Sequence, residues 1–468
     1  MPVFQPESLA RWAGGRWSGP PARPIRGFSA DTRQMKPGDL FVALATERRD
    51  GHEFLEEALA GGASAALVSA PRPVALAQLA VNDTLAAFHR IARAHRRQFP
   101  GPVVGVSGSA GKTSTKDLLA LLLGNGPDGQ GPAAATEANM NNHIGVPLTL
   151  VRLDPSVHRF AVVEAGVSAR GEMAPLAAMI EPDIAILTLV APAHLAGLGG
   201  LEEVAREKAA LAAAVRENGL AIFPESCAAF KAFRELGGKA LVVSDGPGDA
   251  GSGDRVRLAF SHGGDTTELA LSGPGQPAGA FSLCRVTDGM ARNAALAVLA
   301  ALHLGIPAEA VRERLRNWRP AKWRGEIVRR ADCIFYLDFY NANPASMTDA
   351  VKAFDGLAPP EWPRVYLVGC MEELGPGSAR YHRELGRSIR LRSGDVLVVV
   401  GEQAGEVRAG ALERGAPSGN VLAPGAVDPA LMRRLTRDGP CALFVKGSRR
   451  YELERALADI APLEVAHA

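Results

Sequence analysis

The residues with the clearest chemical meaning form a Gly/Ser turn followed by a Lys-Thr pair, within residues 103–114. β-Favouring and small residues precede the turn and an apolar helical run follows it, a strand–loop–helix layout typical of phosphate-binding loops. In such loops, backbone N–H groups and the helix N-terminus bind phosphate oxygens. Lys112 would reach the β- and γ-phosphates, and Thr113 would place its hydroxyl on Mg²⁺. Binding of ATP or GTP is therefore predicted for Gly108, Ser109, Ala110, Gly111, Lys112, Thr113 and Ser114.

One position departs from the general phosphate-loop pattern G-x-x-x-x-G-K-[ST]. That pattern has glycine where this chain has Val106, so only the shorter form G-x-x-G-K-T, from Gly108 to Thr113, is present. The alternative is an ordinary Gly-rich turn between a strand and a helix of an α/β domain.

Two further polar residues follow apolar runs that are predicted to be buried strands. Glu164 directly follows the apolar residues 160–163 within the run 160–166, and His194 follows the run over residues 184–188. Carboxyl ends of parallel strands open onto one ligand crevice, so both side chains would face the same site as Lys112. The alternatives are a loop or helix-cap carboxylate and a hydrogen-bonded structural histidine.

A run of side-chain amides lies just before a Gly-Val-Pro turn, within residues 136–148. Buried amides need hydrogen-bond partners, so a loop that faces a polar substrate explains them better than a core element does. The predicted substrate contacts in this loop are Thr136, Asn139 and Asn142.

The composition is that of a globular protein whose partners are small anions. The chain has 468 residues, 47% of them hydrophobic and 22% charged, with a formal net charge of +2, which does not predict a nucleic-acid-binding surface. Neither a signal sequence nor a membrane span is indicated, so a cytoplasmic location is expected. Five widely spaced cysteines indicate neither a zinc site nor a disulfide framework.

This length predicts about three domains, and the alternation of strands and helices predicts an α/β fold. Residues 1–82 would form a small α/β recognition domain, in which Asp31, Thr32 and Arg33 could hold an anion or simply form a solvated loop. Residues 83–319 would form the central nucleotide-binding domain with a mostly parallel sheet. Residues 320–468 would form a doubly wound, Rossmann-like domain, with Asp338, Tyr340, Asn341 and Asn343 just beyond its first strand. The segment 244–279 is expected to be a hairpin or surface excursion at best.

The ordered set of motifs resembles the Mur ligase family over nearly the whole chain. The combination of Tyr340-Asn341-Ala342-Asn343-Pro344 with Asn141-Asn142-His143-Ile144-Gly145-Val146-Pro147 points to the branch that uses D-alanyl-D-alanine. The other matching stretches are Asp31-Thr32-Arg33, Asp50-Gly51-His52, residues 108–114, Glu164, Ala193-His194-Leu195, Lys208, Asn293-Ala294, Arg324, Asp338, Glu373-Leu374-Gly375 and Lys446-Gly447-Ser448.

The resemblance implies an ATP-dependent ligation of a UDP-muramyl-tripeptide to D-alanyl-D-alanine through an acyl phosphate. Separately, the chain is expected to be a monomer. It implies two Mg²⁺ ions, held by Thr113, Glu164 and His194, and catalytic roles for Lys112, Glu164, His194 and Lys208. By the same resemblance Lys208, otherwise an ordinary helix lysine, is carbamylated and is also a metal ligand. Asn293 would contact adenine, and Arg324 and Asp338 would contact ribose and phosphates.

Several positions depart from the family pattern. Leu337 and Phe339 flank Asp338 where polar residues are usual, Cys370 replaces an aspartate, and Leu189 and the pair Gly289-Met290 replace amide and imidazole side chains. These departures leave open a related ligase of another pathway that joins a different amino compound to a carboxylate. A non-catalytic nucleotide-binding regulator is a further alternative.

Overall fold

The computed structural model describes residues 2–47, 49–126, 128–246, 254–330, 332–436, 439–458 and 460. Residues 247–253, inside the predicted loose segment 244–279, lie outside the described residues, as do residues 461–468 at the end of the third predicted domain. Three main sheets flanked by helices confirm the predicted α/β class.

The helices range from single turns to sixteen residues. They are Pro6–Ala13, Leu55–Ala60, Thr84–Arg96, Lys112–Leu122, Gly145–Leu150, Met173–Ile180, Leu195–Leu198, Leu201–Ala213, Lys231–Arg234, Asp288–His303, Ala308–Asn317, Pro344–Leu357, Ser378–Ser388, Ala404–Glu413 and Pro429–Leu435. Within the described part of the chain, none of them combines the length and the hydropathy that crossing a bilayer requires.

The N-terminal sheet has five short strands. In spatial order they are Arg16–Trp17, Gln78–Ala80, Ala65–Val68, Asp39–Val42 and Gly27–Ser29. Neighbours pair in parallel except at the edge strand Arg16–Trp17. The two strands Asp39–Val42 and Ala65–Val68 are buried at every position, as is usual for strands inside a parallel sheet.

The central sheet has nine strands. In spatial order they are Phe281–Cys284, Thr266–Ser272, Arg255–Gly263, Ala240–Ser244, Leu220–Pro224, Ile184–Leu187, Val103–Ser107, Phe160–Glu164 and Ala133–Ala135. Pairing is parallel from Ala133–Ala135 through Arg255–Gly263 and antiparallel in the last two pairs.

The described part of segment 244–279 contains the hairpin that was one of the two expectations for it, and this hairpin is part of the central sheet. Strand Arg255–Gly263 pairs in parallel with Ala240–Ser244 and antiparallel with Thr266–Ser272, so it extends the central sheet. Leu258 and Leu269 are buried in the core that this edge shares with helix Asp288–His303. The alternation of apolar and polar residues, visible within the Gly-rich sequence, was the signal for these half-buried strands.

The C-terminal sheet has six strands. In spatial order they are Glu326–Arg330, Cys333–Asp338, Cys441–Lys446, Arg364–Gly369, Val396–Val400 and Val421–Leu422. All pairs are parallel except the edge pair of Glu326–Arg330 with Cys333–Asp338, and the edge strand Glu326–Arg330 was not predicted.

The pairing of the central strands explains how the candidate residues meet. Strand Val103–Ser107 lies between Phe160–Glu164 and Ile184–Leu187, and all three are parallel. Their carboxyl ends therefore lie at one edge of the sheet. The phosphate loop, Glu164 and the segment leading to His194 all begin at that edge.

Candidate active site

A cavity of about 790 Å³ opens between the central and C-terminal segments of the chain. Its walls contain most of the predicted site residues, although these come from distant parts of the sequence. The predicted residues that line it are Ser109, Ala110, Gly111, Lys112, Thr113, Ser114, Asn139, Asn142, Glu164, His194, Asn293, Arg324, Asp338, Tyr340, Asn341 and Asn343. Gly108, Thr136, Lys208, Asp31, Thr32 and Arg33 are predicted residues outside this lining.

Two glycines of the phosphate loop are required by close approaches as well as by backbone conformation. Gly108 has φ +147°, and a Cβ there would lie 1.8 Å from Thr188 Oγ1. Gly111 has φ +78°, and a Cβ there would lie 2.1 Å from Asn293 Nδ2. A residue with a side chain would be strained at either position. The glycines therefore let Thr188 and Asn293 pack directly against the loop.

Lys112 begins helix Lys112–Leu122 and points back over the loop. Its Nζ donates a hydrogen bond to the Gly108 carbonyl oxygen over 2.8 Å. Removal from water lowers the pKa of Lys112; the Arg324 charge adds to this effect, while the Glu164 carboxylate opposes it. The lysine is thus held where three strand ends meet, between a carboxylate and a guanidinium.

Glu164 is the hydrogen-bonded centre of the site. Its Oε1 accepts hydrogen bonds from Asn141 Nδ2 at 2.7 Å and from Thr113 Oγ1 at 3.2 Å. Its backbone N–H donates to Thr136 Oγ1 at 3.0 Å, so Thr136 positions Glu164 from behind. Among the described residues its Oε2 is buried without a hydrogen-bond partner. A buried, unpaired carboxylate oxygen beside a threonine hydroxyl is a donor set that suits Mg²⁺.

The prediction of site residues missed Asn141. It lies in the amide run that was recognised as substrate-facing, and the run itself was the signal for it. Its neighbour Asn142 both lines the cavity and uses its side-chain oxygen to accept from the backbone N–H groups of Ile144 and Gly145, at 3.0 and 2.9 Å. The run therefore mixes residues that hold Glu164 with residues that cap a helix.

His194 lies at the boundary between the central and C-terminal segments. Its backbone is left-handed, with φ +51°, and its Nδ1 contacts the carboxylate of Glu373. Burial lowers the pKa of His194, and the hydrogen bond to Glu373 opposes that effect. In the ranges that the structure describes, no three His, Cys, Asp or Glu side chains are grouped so that they could hold a metal ion by themselves. A cation here would have few protein ligands and would need oxygens from a substrate or water.

Lys208, in helix Leu201–Ala213, is 1% exposed. Within the described residues its ammonium group has no hydrogen bond or ion pair. Burial, strengthened by the nearby Lys112 charge, holds the pKa of Lys208 well below its ordinary value. Its neighbour Glu207 is occupied elsewhere, since its Oε2 accepts from the Met173 N–H at 3.0 Å. The neutral amine is the form that this environment favours.

The C-terminal wall of the cavity contains an ion pair between Asp338 and Lys446. Asp338 was a predicted site residue, whereas Lys446 was not. Lys446 is 1% exposed, and its Nζ lies 2.6 Å from Asp338 Oδ2 and donates to the Asn341 carbonyl oxygen at 3.2 Å. The Arg324 guanidinium lies 3.8 Å from the centre of the Tyr340 ring. Strand register explains the pair, because Asp338 and Lys446 are direct partners on adjacent parallel strands.

The three predicted anion-binding residues of the N-terminal segment, Asp31, Thr32 and Arg33, contact one another or another residue of the same segment. Asp31 pairs with Arg33 at 2.6 Å, and Thr32 Oγ1 donates to Glu57 Oε1 at 2.6 Å. The Arg33 hydrogen bond lowers the pKa of Asp31. The structure does not bring these residues to the cavity that contains Lys112.

Three models of known families match the chain in succession. The model of the Mur ligase family catalytic domain matches residues 24–100, that of the Mur ligase middle domain residues 106–301, and that of the Mur ligase glutamate ligase domain residues 323–438. The chain belongs to the Mur ligase family.

Individual relatives agree with this assignment. The UDP-N-acetylmuramoyl-tripeptide–D-alanyl-D-alanine ligase of Escherichia coli is 36% identical over 80% of this chain and 81% of its own length. A crystal structure of MurF from Acinetobacter baumannii has a TM-score of 0.86 and 28% identity and covers 98% of this chain and 99% of its own. The structure of MurF from Thermotoga maritima in complex with ADP has a TM-score of 0.77 and 25% identity, over 92% and 96% of the two chains.

The departures of this Mur ligase from the family pattern are either buried, as Cys370 is at 1% exposure, or line the cavity. Leu337 and Phe339 are buried in an apolar cluster below the sheet, on the face opposite Asp338. A polar side chain there would lose water without a partner, so the apolar residues suit the position. Leu189, Gly289 and Met290 instead line the cavity, where a departure can change contacts with a ligand.

Proposed function

We propose that this Mur ligase joins D-alanyl-D-alanine to UDP-N-acetylmuramoyl-tripeptide and converts ATP to ADP and phosphate, as a step in building a peptidoglycan precursor. The observation on which the proposal rests is the cavity in which the phosphate loop and Glu164 face Arg324 and Asp338 from the C-terminal sheet. The 36% identity to the E. coli ligase of that name supports the same substrates.

The phosphate loop, residues 108–114, binds the ATP phosphates through its backbone N–H groups. Lys112 neutralises charge on the β- and γ-phosphates, a role that its position at the centre of the strand ends supports. Asn293, packed against Gly111, contacts adenine, while Arg324 and Asp338 contact ribose and phosphates.

Thr113, Glu164 and His194 hold Mg²⁺, with two ions in the working enzyme. The unpaired Oε2 of Glu164 and the adjacent Thr113 hydroxyl support this assignment. When bound, Mg²⁺ acts as a Lewis acid that balances the charge of the transferred phosphoryl group.

The reaction proceeds in two steps. The terminal carboxylate of the tripeptide attacks the γ-phosphorus of ATP, which gives an acyl phosphate and ADP. The amine of D-alanyl-D-alanine then attacks the acyl carbon, an amide bond forms, and phosphate leaves with the electron pair of the broken C–O bond. In both steps the chain orients the reacting groups and excludes water from the acyl phosphate.

The three predicted domains divide the work. Residues 1–82 recognise the UDP-sugar-peptide through Asp31, Thr32 and Arg33, and residues 83–319 bind ATP. Thr136, Asn139 and Asn142 contribute from the central domain. Residues 320–468 bind the incoming amine through Tyr340, Asn341 and Asn343. The enzyme works as a monomer in the cytoplasm.

Lys208 is a carbamate in the active enzyme and acts as a further metal ligand. A neutral lysine amine reacts with CO₂ to give a carbamate and one proton, and the burial that lowers the pKa of Lys208 favours that amine. We expect Lys208→Ala to be inactive and to regain part of its activity when acetate is added, whereas equal ionic strength from chloride restores nothing. Normal turnover of the alanine variant would refute the carbamate.

The proposed substrates are tested by measuring phosphate release from ATP with UDP-muramyl-tripeptide, with and without D-alanyl-D-alanine. Release is expected only when both are present, together with formation of the pentapeptide product. As a control, phosphate release is measured with other dipeptides and amino compounds in place of D-alanyl-D-alanine. Faster release with a different amine would identify a ligase of another pathway.

A further inference from the structure

Helix Pro344–Leu357 belongs to the C-terminal segment, yet one side of it faces the nucleotide-binding segment. Its capping residue Asn343 donates from Nδ2 to the Ser109 carbonyl oxygen of the phosphate loop at 3.0 Å. Further along, Asp349 lines the cavity, and Lys352 Nζ lies 2.6 Å from Asp288. The helix therefore contacts the central segment both at the phosphate loop and at the start of helix Asp288–His303.

The contact between Asp349 and Gly289 joins the carboxylate of the C-terminal helix to the backbone of the central segment. Both carboxylate oxygens of Asp349 accept from the Gly289 backbone N–H, each at 3.1 Å. Gly289 lies in the first turn of helix Asp288–His303, where N–H groups lack intrahelical partners and a negative charge is favourable. The Asp349 carboxylate thus supplies an acceptor that this helix end needs.

A side chain at position 289 would displace the Asp349 carboxylate from its present position and disturb this contact. A Cβ at position 289 would lie 2.6 Å from Asp349 Oδ2, closer than real Cβ contacts allow. The backbone of Gly289 does not have a positive φ, so its conformation alone does not require glycine. Position 289 is also one of the departures from the family pattern, and the approach of Asp349 gives a physical reason for glycine there.

Helix Asp288–His303, which Asp349 contacts, also contains Asn293, the residue proposed to contact adenine. Asn293 lies four residues after Gly289 in the same helix and packs against Gly111 of the phosphate loop. Movement of the start of helix Asp288–His303 would therefore move Asn293 relative to that loop, since a helix behaves as a rigid element.

We propose that Asp349 is a positioning residue that docks the C-terminal domain onto the first turn of helix Asp288–His303, and that Gly289 is the residue that permits this docking. The contact favours the closed arrangement in which Arg324 and Asp338 reach the nucleotide, so this inference rests on the proposed function. Loss of docking lowers the fraction of enzyme in the closed, binding-competent arrangement. The apparent Kd for the nucleotide rises in proportion, because it equals the intrinsic Kd divided by that fraction.

The test compares Gly289→Ala, Asp349→Ala and the double variant with the wild-type enzyme. Each single change should weaken binding of a non-hydrolysable ATP analogue about tenfold, measured by calorimetry, and should raise KM for ATP more than it lowers kcat. Alanine is a better helix former than glycine, so a loss in Gly289→Ala cannot come from a weaker helix. In the double variant the effects should not add, because Asp349→Ala removes the group that the new methyl meets.

Asp355→Asn is the matched control on the same helix. Asp355 pairs with Arg364 and Tyr366 inside the C-terminal domain, so its loss should lower the melting temperature and leave affinity for the ATP analogue unchanged. Single variants that bind the analogue within twofold of wild type, or effects that add in the double variant, would overturn the docking contact. Calorimetry needs no acceptor amine, so absence of wild-type turnover with D-alanyl-D-alanine would count against the proposed substrates alone.

Discussion

At the scale of the residue, two polar side-chain atoms of the cavity lining are buried from water without a hydrogen-bond partner among the described residues. Within the described chain, Glu164 Oε2 and the Tyr336 hydroxyl are both buried without a hydrogen bond, and burial holds the pKa of Tyr336 well above its ordinary value. Such groups cost stability in the free protein. They are maintained where a ligand or ion completes them, as we propose for Glu164.

Removing the Tyr336 hydroxyl should therefore cost no stability. We expect Tyr336→Phe to leave the melting temperature unchanged or to raise it, because the ring keeps its stacking on Phe444 and an unpaired polar atom is lost. Tyr366→Phe is the matched comparison, since its hydroxyl donates to Asp355 at 2.5 Å, and it should cost about 1–3 kcal/mol. Calorimetric melting of both variants makes the comparison; a larger loss in Tyr336→Phe would mean that its hydroxyl has a partner.

The phosphate-binding role that we propose for Lys112 can be tested by removing its charge. Lys112→Ala should reduce turnover by about 10²-fold or more, because a preorganised cation on the transferring phosphoryl group is lost. Its melting temperature should stay close to wild type, since the half-buried side chain makes little core packing. Lys231→Ala, at a position with 79% exposure, is the control and should keep full activity in the phosphate-release assay. Retention of more than about a tenth of the rate by Lys112→Ala would contradict the assignment.

At the scale of the element, the site is held by short polar connections between strand ends and the helices that follow. Helix Ser378–Ser388 provides one example, because His382 in its second turn is fully buried and its Nε2 accepts from the Met371 N–H at 2.9 Å. Its Nδ1 donates to the Ser378 carbonyl oxygen at 2.8 Å. Both bonds together require a neutral imidazole, and burial lowers the pKa of His382 accordingly.

This imidazole predicts how stability changes with pH. The unfolded histidine has a pKa of about 6.5 and the folded one lies below it, so the unfolded state binds more protons in that interval and stability falls as pH drops below about 6.5. The loss is at most about 1.4 kcal/mol per pH unit for one such group. The apparent melting temperature should therefore decrease between pH 7.5 and 5.5, and the decrease should be smaller in His382→Gln. An equal decrease in both proteins would show that His382 is not the titrating group.

At the scale of the whole molecule, the contacts between the central and C-terminal segments around the cavity are polar and local. They include Asn343 to the Ser109 carbonyl oxygen and the Ala196 N–H to the Glu373 carbonyl oxygen, at 3.0 and 3.2 Å. Interfaces of this kind separate readily, and the roles that we propose for Arg324 and Asp338 require both residues beside ATP. The structure is therefore compatible with a C-terminal domain that opens and closes about the junction near Arg319-Pro320.

Domain closure has a direct measurement. The radius of gyration from small-angle scattering should decrease when an ATP analogue and UDP-muramyl-tripeptide are added together, since binding energy is then available to hold the domains in contact. The Asp349→Ala variant should show a smaller decrease. An unchanged radius of the wild-type protein under saturating ligands would argue against a closing motion.

Local sequence was sufficient for the features whose causes are local. Periodicity and turn residues predicted the α/β class, the buried strands near Glu164 and before His194, and the helix after the phosphate loop. The loop itself was recognisable because its chemistry depends on adjacent residues from Gly108 to Thr113. Glu164 and His194 were predictable from one further rule, namely that parallel strands present their carboxyl ends at one edge.

Only the tertiary structure decided the contacts between residues far apart in the chain. Asn141 on Glu164, Lys446 on Asp338 and Asp349 on Gly289 depend on strand register and on how one domain lies against another. The amide run hinted at the first, but nothing in the neighbouring residues of Asp349 or Gly289 indicates that they meet. The strand Glu326–Arg330 and the pairing of Arg255–Gly263 with the central sheet were not predicted for the same reason, because contacts with another strand decide them more than their own composition does.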